Sequence, residues 1–331
     1  MSTLPADFRA APPASDEAAA SVRGARFTRL LGRHGRLAVI GIPYLWLLVF
    51  FLAPFLIVMK ISVSEMENVS FKDLITLKDG VLQLSLRLGN YLYAIHDDLY
   101  FATYLSSLKY AAVTTVVCLA IGYPFAYFMA RARASLQPAL LMAVMLPFWT
   151  SFLLRVYAWK ALLGEQGWVA EGLMAIGVDH LLVAGGLIPA LGKFMNTPFS
   201  LVLGMTYTYL PFMILPLYAN LSKMDMRLLE AAADLGATPA VAFWRVTVPL
   251  SKAGIIAGSM LVFIPCVGEF VIPELLGGPQ TLMIGRVLWD EFFSNNDWPM
   301  ASTVAVLMIL LIIVPLAVFS RYQAEAQERR R

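Results

Sequence analysis

Charged side chains are scarce in this chain: they make up 14% of its 331 residues, against about 25% in an ordinary soluble domain. Apolar residues make up 59%, and the mean hydropathy is +0.71. A folded chain of this size with so little polar surface does not stay in water. The composition therefore excludes a soluble enzyme, a nucleic-acid-binding protein and a disordered chain, and it predicts an integral membrane protein.

Residues that bind metals or take part in catalysis are equally few. The two cysteines, Cys118 and Cys266, lie far apart in apolar runs and are interpreted as small buried side chains. The three histidines fall in separate polar segments, which gives no metal-ligand spacing. The chain also lacks the phosphate-binding pattern G-x-x-x-x-G-K-[ST]. We therefore expect no catalytic residue, no metal site and no cofactor bound by this chain.

Six apolar runs are long enough to cross a bilayer, which takes about 20 residues in a helix. They predict spans at about 37–60, 109–130, 136–156, 198–221, 253–273 and 299–320. The fold class predicted is an all-α integral membrane protein with six transmembrane helices in a domain over 37–320. Residues 1–36 are expected to form a disordered tail, because their first part is rich in Ala, Pro and Ser. Residues 321–331 form a second tail.

The basic residues predict the orientation in the membrane. With the N-terminus inside, sixteen Lys and Arg residues fall in the inner segments and seven in the outer segments. Positive residues concentrate on the cytoplasmic side of membrane proteins. Both termini and the loop over 222–252 are therefore predicted to be cytoplasmic.

The loop over 222–252 has the local chemistry of two short helices. Asp225 can cap the first helix, and Gly236 suits the left-handed position at its end. Thr238 can cap the second helix, with Pro239 at its first position. The small side chains of 231–233 let another surface approach closely. This pattern suggests a docking surface for a cytosolic protein, and an ordinary amphipathic loop helix is the alternative.

The same loop resembles the EAA signature of ABC-importer permeases, at Glu230-Ala231-Ala232, Gly236 and Val246-x-Val248-Pro249. The family pattern is E-A-A, three residues, Gly, nine residues and an apolar ending of the form I-x-L-P. Both spacings are present here, and two valines stand where the family has Ile and Leu. The chain is thus identified as similar to this family over twenty consecutive positions.

The resemblance implies the helical bundle of a type I ABC-importer permease, in a bacterial inner (plasma) membrane. It implies that the loop inserts into a groove of an ATP-hydrolysing subunit, through Glu230, Ala231, Ala232, Gly236 and Pro249. ATP and Mg would then be used by that partner, an ATPase dimer, and not by this chain. The further partners implied are a second permease subunit, an extracytoplasmic binding protein and the lipid bilayer.

Four other stretches of the sequence resemble one branch of the family, the permeases of putrescine/spermidine importers. This resemblance lies in Gly268–Phe293, Asn296–Pro299, Leu146–Ser151 and Leu154–Trp159. It implies polyamine import, with the solute delivered by a polyamine-binding protein. Permeases for iron, thiamine and other small solutes share the EAA loop, so these solutes stay open. The residues alone also leave open a stand-alone secondary carrier.

A polyamine is a flexible multivalent cation, so its path should offer carboxylates and aromatic faces. Glu269 lies in the fifth predicted span, where an ionisable side chain is costly and indicates a solute pathway or an ion pair. Arg155 and Arg286 are its candidate ion-pair partners. The other candidates for the solute pathway are Trp149, Tyr207, Tyr209 and Asp297. Aromatic residues near span ends are also typical interfacial anchors.

Overall fold

The computed structural model describes residues 39–328, with the exception of 65, 68–69, 72–74, 79–80 and 85–87. The predicted tail over 1–36 lies outside the described residues, as do the last three residues of the predicted C-terminal tail. The described chain divides into two compact units after Val58. In the first unit, the helix exposes its apolar side chains and stacks the rings of Trp46 and Phe50, 5.0 Å between centroids.

Helices account for most of the described residues, as the composition predicts. In chain order they are α1 Val39–Ser62, α2 Gly89–His96, α3 Asp98–Arg131, α4 Gln137–Trp149, α5 Phe152–Leu162, α6 Trp168–Ala175, α7 Val178–Ala184, α8 Pro198–Leu221, α9 Arg227–Asp234, α10 Pro239–Leu250, α11 Lys252–Val267, α12 Val271–Leu276, α13 Ile284–Trp289 and α14 Trp298–Glu328. Short π-helical turns interrupt α1 and α10, and a third, Asp290–Ser294, follows α13.

Two small antiparallel hairpins lie between α1 and α2. Strands β1 Met66–Glu67 and β2 Ser70–Phe71 form the first hairpin, and β3 Ile75–Lys78 and β4 Val81–Leu84 form the second. Pairs this short add little to the fold, because a two-stranded hairpin is marginal alone. The all-α prediction therefore describes the architecture, and these hairpins are a local departure from it.

The core of the second unit forms where α3, α8 and α11 pack against one another. Gly122 of α3 and Gly258 of α11 both face Met213 of α8, which is fully buried. A Cβ atom on Gly258 would lie 2.8 Å from the Met213 sulfur and 3.1 Å from its carbonyl oxygen. Gly254, one turn earlier, faces α8 in the same way. Gly254 and Gly258 thus provide the close helix approach that small residues four apart predict.

Four helices are long and apolar enough to cross a membrane: α1, α3, α8 and the Trp298–Ala317 part of α14. Two bent pairs, α4 with α5 and α10 with α11, meet the same criteria when each is counted as one span. The described residues therefore contain between four and six candidate spans, by length and composition. Helix α8 has the predicted bounds, 198–221.

The predicted third span, 136–156, is not one straight helix. Helix α4 ends at Trp149, α5 begins at Phe152, and the two helices are bent by 88°. The hydroxyl of Thr150 donates to the carbonyl oxygen of Pro147 at 2.8 Å, which closes a turn at this break. Hydropathy counts apolar residues and carries no information on where a helix changes direction. The predicted span therefore did not include the bend.

Two other predicted spans have different ends in the structure. The second, predicted over 109–130, begins at Asp98, because Asp97 accepts a hydrogen bond from the Leu99 amide at 2.8 Å and caps the helix. The fifth, predicted over 253–273, stops at Val267. Residues 268–270 form a turn, and α12 follows. Glu269 therefore lies at a helix break and not inside a continuous helix.

Candidate coupling loop and solute site

The loop between α8 and α11 has the two predicted helices, α9 and α10. The Asp225 carboxylate accepts a hydrogen bond from the Arg227 amide at 3.0 Å, and the Thr238 hydroxyl accepts one from the Val241 amide at 3.4 Å. Gly236 has φ +81°, the left-handed conformation in which a side chain would be strained. The local geometry expected for the two caps and the turn is therefore confirmed.

The five predicted coupling residues lie at or near the surface of this loop. Four are exposed and Ala232 is half-buried: Glu230, Ala231, Ala232, Gly236 and Pro249. Two large apolar side chains are exposed beside them, Leu235 at 88% and Trp244 at 68%. An acidic residue, small alanines and exposed apolar groups in one loop form a surface that another protein can cover.

An aromatic contact attaches α10 to the core. The ring of Phe243 meets the rings of Tyr123 and Tyr127 edge to face, at 5.6 and 5.9 Å between centroids. The Tyr123 hydroxyl is hydrogen-bonded to the Ser251 hydroxyl at 2.8 Å, just before α11. Both tyrosines belong to α3, so these contacts join the loop to the core. Sequence reasoning missed Phe243, because the family pattern does not include it.

Pro249 lies near the end of α10, two residues after a π-helical turn. Its ring nitrogen carries no hydrogen, so it cannot donate the hydrogen bond that a continuous α-helix requires. The preceding residues, Phe243–Thr247, form a π-helical turn. Phe243 is the first residue of this turn.

Glu269 is held by hydrogen bonds at the break between α11 and α12. The hydroxyl of Tyr209, on α8, donates to one carboxylate oxygen, and the amide of Val271 donates to the other at 3.1 Å. Neither of the two candidate ion-pair partners, Arg155 and Arg286, is the group that holds Glu269. Arg155 lies over the ring of Phe148, 5.5 Å from its centroid, and Arg286 pairs with two other carboxylates.

The other predicted pathway residues are dispersed. Trp149 is 77% exposed at the end of α4, and Tyr207 makes an edge-to-face contact with Trp159 at 5.4 Å. Asp297 accepts a hydrogen bond from the Met300 amide at 2.9 Å, so it caps the start of α14. The structure brings only Tyr209 and Glu269 together.

Neither cysteine forms a disulfide, and both are buried, as expected. Among the residues that the structure describes, no group of three or more His, Cys, Asp or Glu side chains is arranged to hold a metal ion.

The structure is a bundle of long apolar helices with an exposed helix–turn–helix anchored to its core, an arrangement that suits the membrane-embedded subunit of a transport system. Residues 119–331 match the family described as "Binding-protein-dependent transport system inner membrane component". The chain belongs to this family.

Relatives and solved structures agree with this assignment. The chain is 36% identical over 285 residues to the spermidine/putrescine transport system permease protein PotB of Haemophilus influenzae, covering 86% of this chain and 92% of that protein. It is 36% identical over 276 residues to PotB of Escherichia coli, covering 83% and 93%. A bacterial ABC transporter that imports the acidic polysaccharide alginate contains a chain of similar fold, with 15% identity and a TM-score of 0.60, covering 89% of this chain and 99% of that chain. The predicted importer-permease fold is therefore confirmed.

Proposed function

We propose that this chain is the transmembrane permease subunit of an ATP-driven importer for polyamines, putrescine or spermidine. The observation that carries this proposal is the 36% identity with a spermidine/putrescine permease over most of both chains. The partners are an ATPase dimer, a second permease subunit and an extracytoplasmic polyamine-binding protein. The chain binds no cofactor, and ATP and Mg are used by the ATPase. Both termini face the cytoplasm.

The geometry supports a coupling role for the α9–α10 loop. The ATPase dimer closes on ATP and carries the loop with it, through Glu230, Ala231, Ala232, Gly236 and Pro249. Phe243 passes the displacement to α3, and the bundle opens outward to accept the delivered solute. After hydrolysis the bundle returns inward and releases the solute. Coupling of this kind requires an element with two arrangements that both sites bias, and α10 is that element.

Two alternatives make different predictions. A stand-alone secondary carrier would take its energy from an ion gradient, and it would not need a loop for a cytosolic partner. A permease for iron, thiamine or another small solute would keep the loop and differ in the solute. Membership of a binding-protein-dependent family argues against the first, and the 36% identity to polyamine permeases argues against the second.

Uptake of radiolabelled putrescine and spermidine tests the proposal, in a strain that lacks the chain and in the same strain with the chain restored. We expect uptake only in the restored strain, and its loss when the ATPase subunit is inactivated. Uptake that survives ATPase inactivation and stops when the ion gradient is dissipated would show a secondary carrier. Restored uptake of iron or thiamine with no polyamine uptake would reassign the solute.

We expect Glu269→Gln to lower polyamine uptake about tenfold, which corresponds to about 1.4 kcal/mol. Glutamine keeps an oxygen for the Val271 amide, so the cap of α12 is retained while the negative charge that attracts a cation is lost. Tyr209→Phe removes the hydrogen bond and keeps the charge, so an equal loss of uptake in that variant would assign the effect to the hydrogen bond and not to the charge. Uptake by Glu269→Gln at the rate of the unmodified importer would remove Glu269 from the pathway.

A further inference from the structure

Arg155 lies where two interrupted helices meet. Helix α5, whose first turn contains Arg155, packs against α12. Both helices follow a break in the chain: α5 follows the 88° bend after α4, and α12 follows the turn that contains Glu269. Discontinuous helices are typical of the functional parts of membrane transporters. A positive charge is thus placed on a helix that lies against the segment following Glu269.

The guanidinium of Arg155 is enclosed without a hydrogen-bond acceptor. Its Nε and Nη1 atoms are buried, and neither has a hydrogen-bond partner in the described part of the chain. The guanidinium carbon lies 5.5 Å from the ring centroid of Phe148 and 5.9 Å from that of Phe152. These rings attract a cation, but phenylalanine carries no oxygen or nitrogen that could accept a hydrogen bond. Because arginine stays protonated in proteins, its charge requires an acceptor from elsewhere.

The depth of Arg155 in the bilayer makes an unpaired charge costly. Helix α4 starts at the predicted cytoplasmic end of its span and rises about 20 Å over its length, at about 1.5 Å per residue. Helix α5 turns away by 88°, so Arg155 stays at about this height in a hydrocarbon core of about 30 Å. Charged side chains at such depth almost always pair with another group. This depth favours a protein carboxylate over a lipid phosphate, which lies at the membrane surface.

The chain itself offers no carboxylate for this place. No Asp or Glu occurs over 99–164. The candidate spans among the described residues hold a single acidic residue, Asp98, at the start of α3. The carboxylates of Glu269 and Glu274, next to and within α12, are engaged by other side chains. A second copy of this chain would bring the same residues, so the carboxylate has to come from a different chain.

The surface around Arg155 permits another helix to approach. Large apolar side chains are at least half exposed on both sides of the break between α4 and α5: Leu146, Trp149, Leu153, Leu154 and Tyr157. Arg155 itself is partly exposed. A helix of another membrane subunit can therefore cover these side chains and bring a carboxylate to the guanidinium.

We propose that Arg155 receives a carboxylate, Asp or Glu, from the second permease subunit, and that this ion pair is completed only when the two permeases assemble. The planar guanidinium can donate two parallel hydrogen bonds to one carboxylate, which gives the contact a defined geometry. This inference rests on the proposed importer, which contains a second permease. It adds the residue through which the two subunits recognise each other inside the membrane.

A zero-length cross-link tests the contact in the assembled importer. Arg155→Lys keeps a positive charge and introduces an amine, and dicyclohexylcarbodiimide enters membranes and activates carboxyl groups. We expect an amide bond between position 155 and the second permease, identified by mass spectrometry of the joined peptides. Arg155→Gln has no amine at this position and should give no such product. Arg133→Lys, the same change at an exposed residue outside the candidate spans, is the matched control and should also give none.

The identity of the cross-linked chain decides between the possible sources of the carboxylate. A cross-link from position 155 to the ATPase, to the binding protein or to a second copy of this chain overturns the proposal. Two permeases that co-purify and transport polyamine without a cross-link at position 155 also overturn it, and they leave the proposed function intact. The absence of both a second permease and polyamine uptake overturns the proposed function.

Co-purification measures what the ion pair contributes to assembly. We expect Arg155→Gln to lower the recovery of the second permease with the tagged chain about tenfold or more, because its carboxylate is left buried and unpaired. Arg155→Lys should keep part of the recovery, since the charge is retained. Lys160→Gln removes an exposed cation from the same helix and should leave the recovery unchanged. Equal recovery with Arg155→Gln and with the unmodified chain would refute the ion pair.

Discussion

We expect Glu230→Lys to abolish solute uptake while the chain still inserts and folds in the membrane. Glu230 is exposed in the first turn of α9, so its replacement disturbs no core contact. Lysine is a good helix former, and its charge in the first turn costs only about 0.3–1 kcal/mol. Reversal of a charge at a docking surface weakens association about 30-fold or more.

Co-purification of the ATPase with the tagged chain measures this effect directly. Glu171→Lys is the matched control, because Glu171 is also an exposed acid in the first turn of a short helix, α6. We expect the control to keep its ATPase and its uptake. Retention of the ATPase and normal uptake by Glu230→Lys would refute the assignment of the α9–α10 loop as the coupling element.

We expect Phe243→Ala to separate ATP hydrolysis from transport. The substitution removes two edge-to-face contacts with Tyr123 and Tyr127, each contributing about 0.5–1.5 kcal/mol. The exposed docking residues are unchanged, so the ATPase still binds and hydrolyses ATP. The loop then moves without displacing α3, and uptake per ATP hydrolysed falls about tenfold or more.

Reconstituted vesicles allow both rates to be measured on one preparation. Phe128→Ala is a suitable control, because Phe128 lies on the same helix, α3, with its side chain 60% exposed. Phe243→Leu keeps part of the bulk and should give an intermediate ratio of uptake to hydrolysis. An unchanged ratio in Phe243→Ala would show that the loop drives the bundle through other contacts.

The local structure of the α9–α10 loop could be predicted because capping and turn formation depend on neighbouring residues. Asp225, Gly236 and Thr238 each act within four positions of the backbone groups that they satisfy. The bounds of α8 were predictable for a similar reason, since Thr197 and Pro198 form a strong helix start.

The candidate solute site was only partly predictable because its contacts join separate segments. Glu269 stood out as an ionisable residue in an apolar run, and Tyr209 was named for its ring, yet their hydrogen bond depends on how α8 packs against the end of α11. The ring of Phe270 stacks on the ring of Trp289, 4.5 Å between centroids, and this contact also joins two separate segments.

The core junction has a mechanical consequence for the permease. Met213 lies between a glycine of α3 and a glycine of α11, and its unbranched thioether can adapt to a shifted neighbour at little cost. Surfaces without side chains offer no ridges to interlock, so the two helices can slide along α8 in small steps. Such shear requires no helix to unfold. Branched side chains in place of these two glycines would interlock with α8 and oppose such sliding.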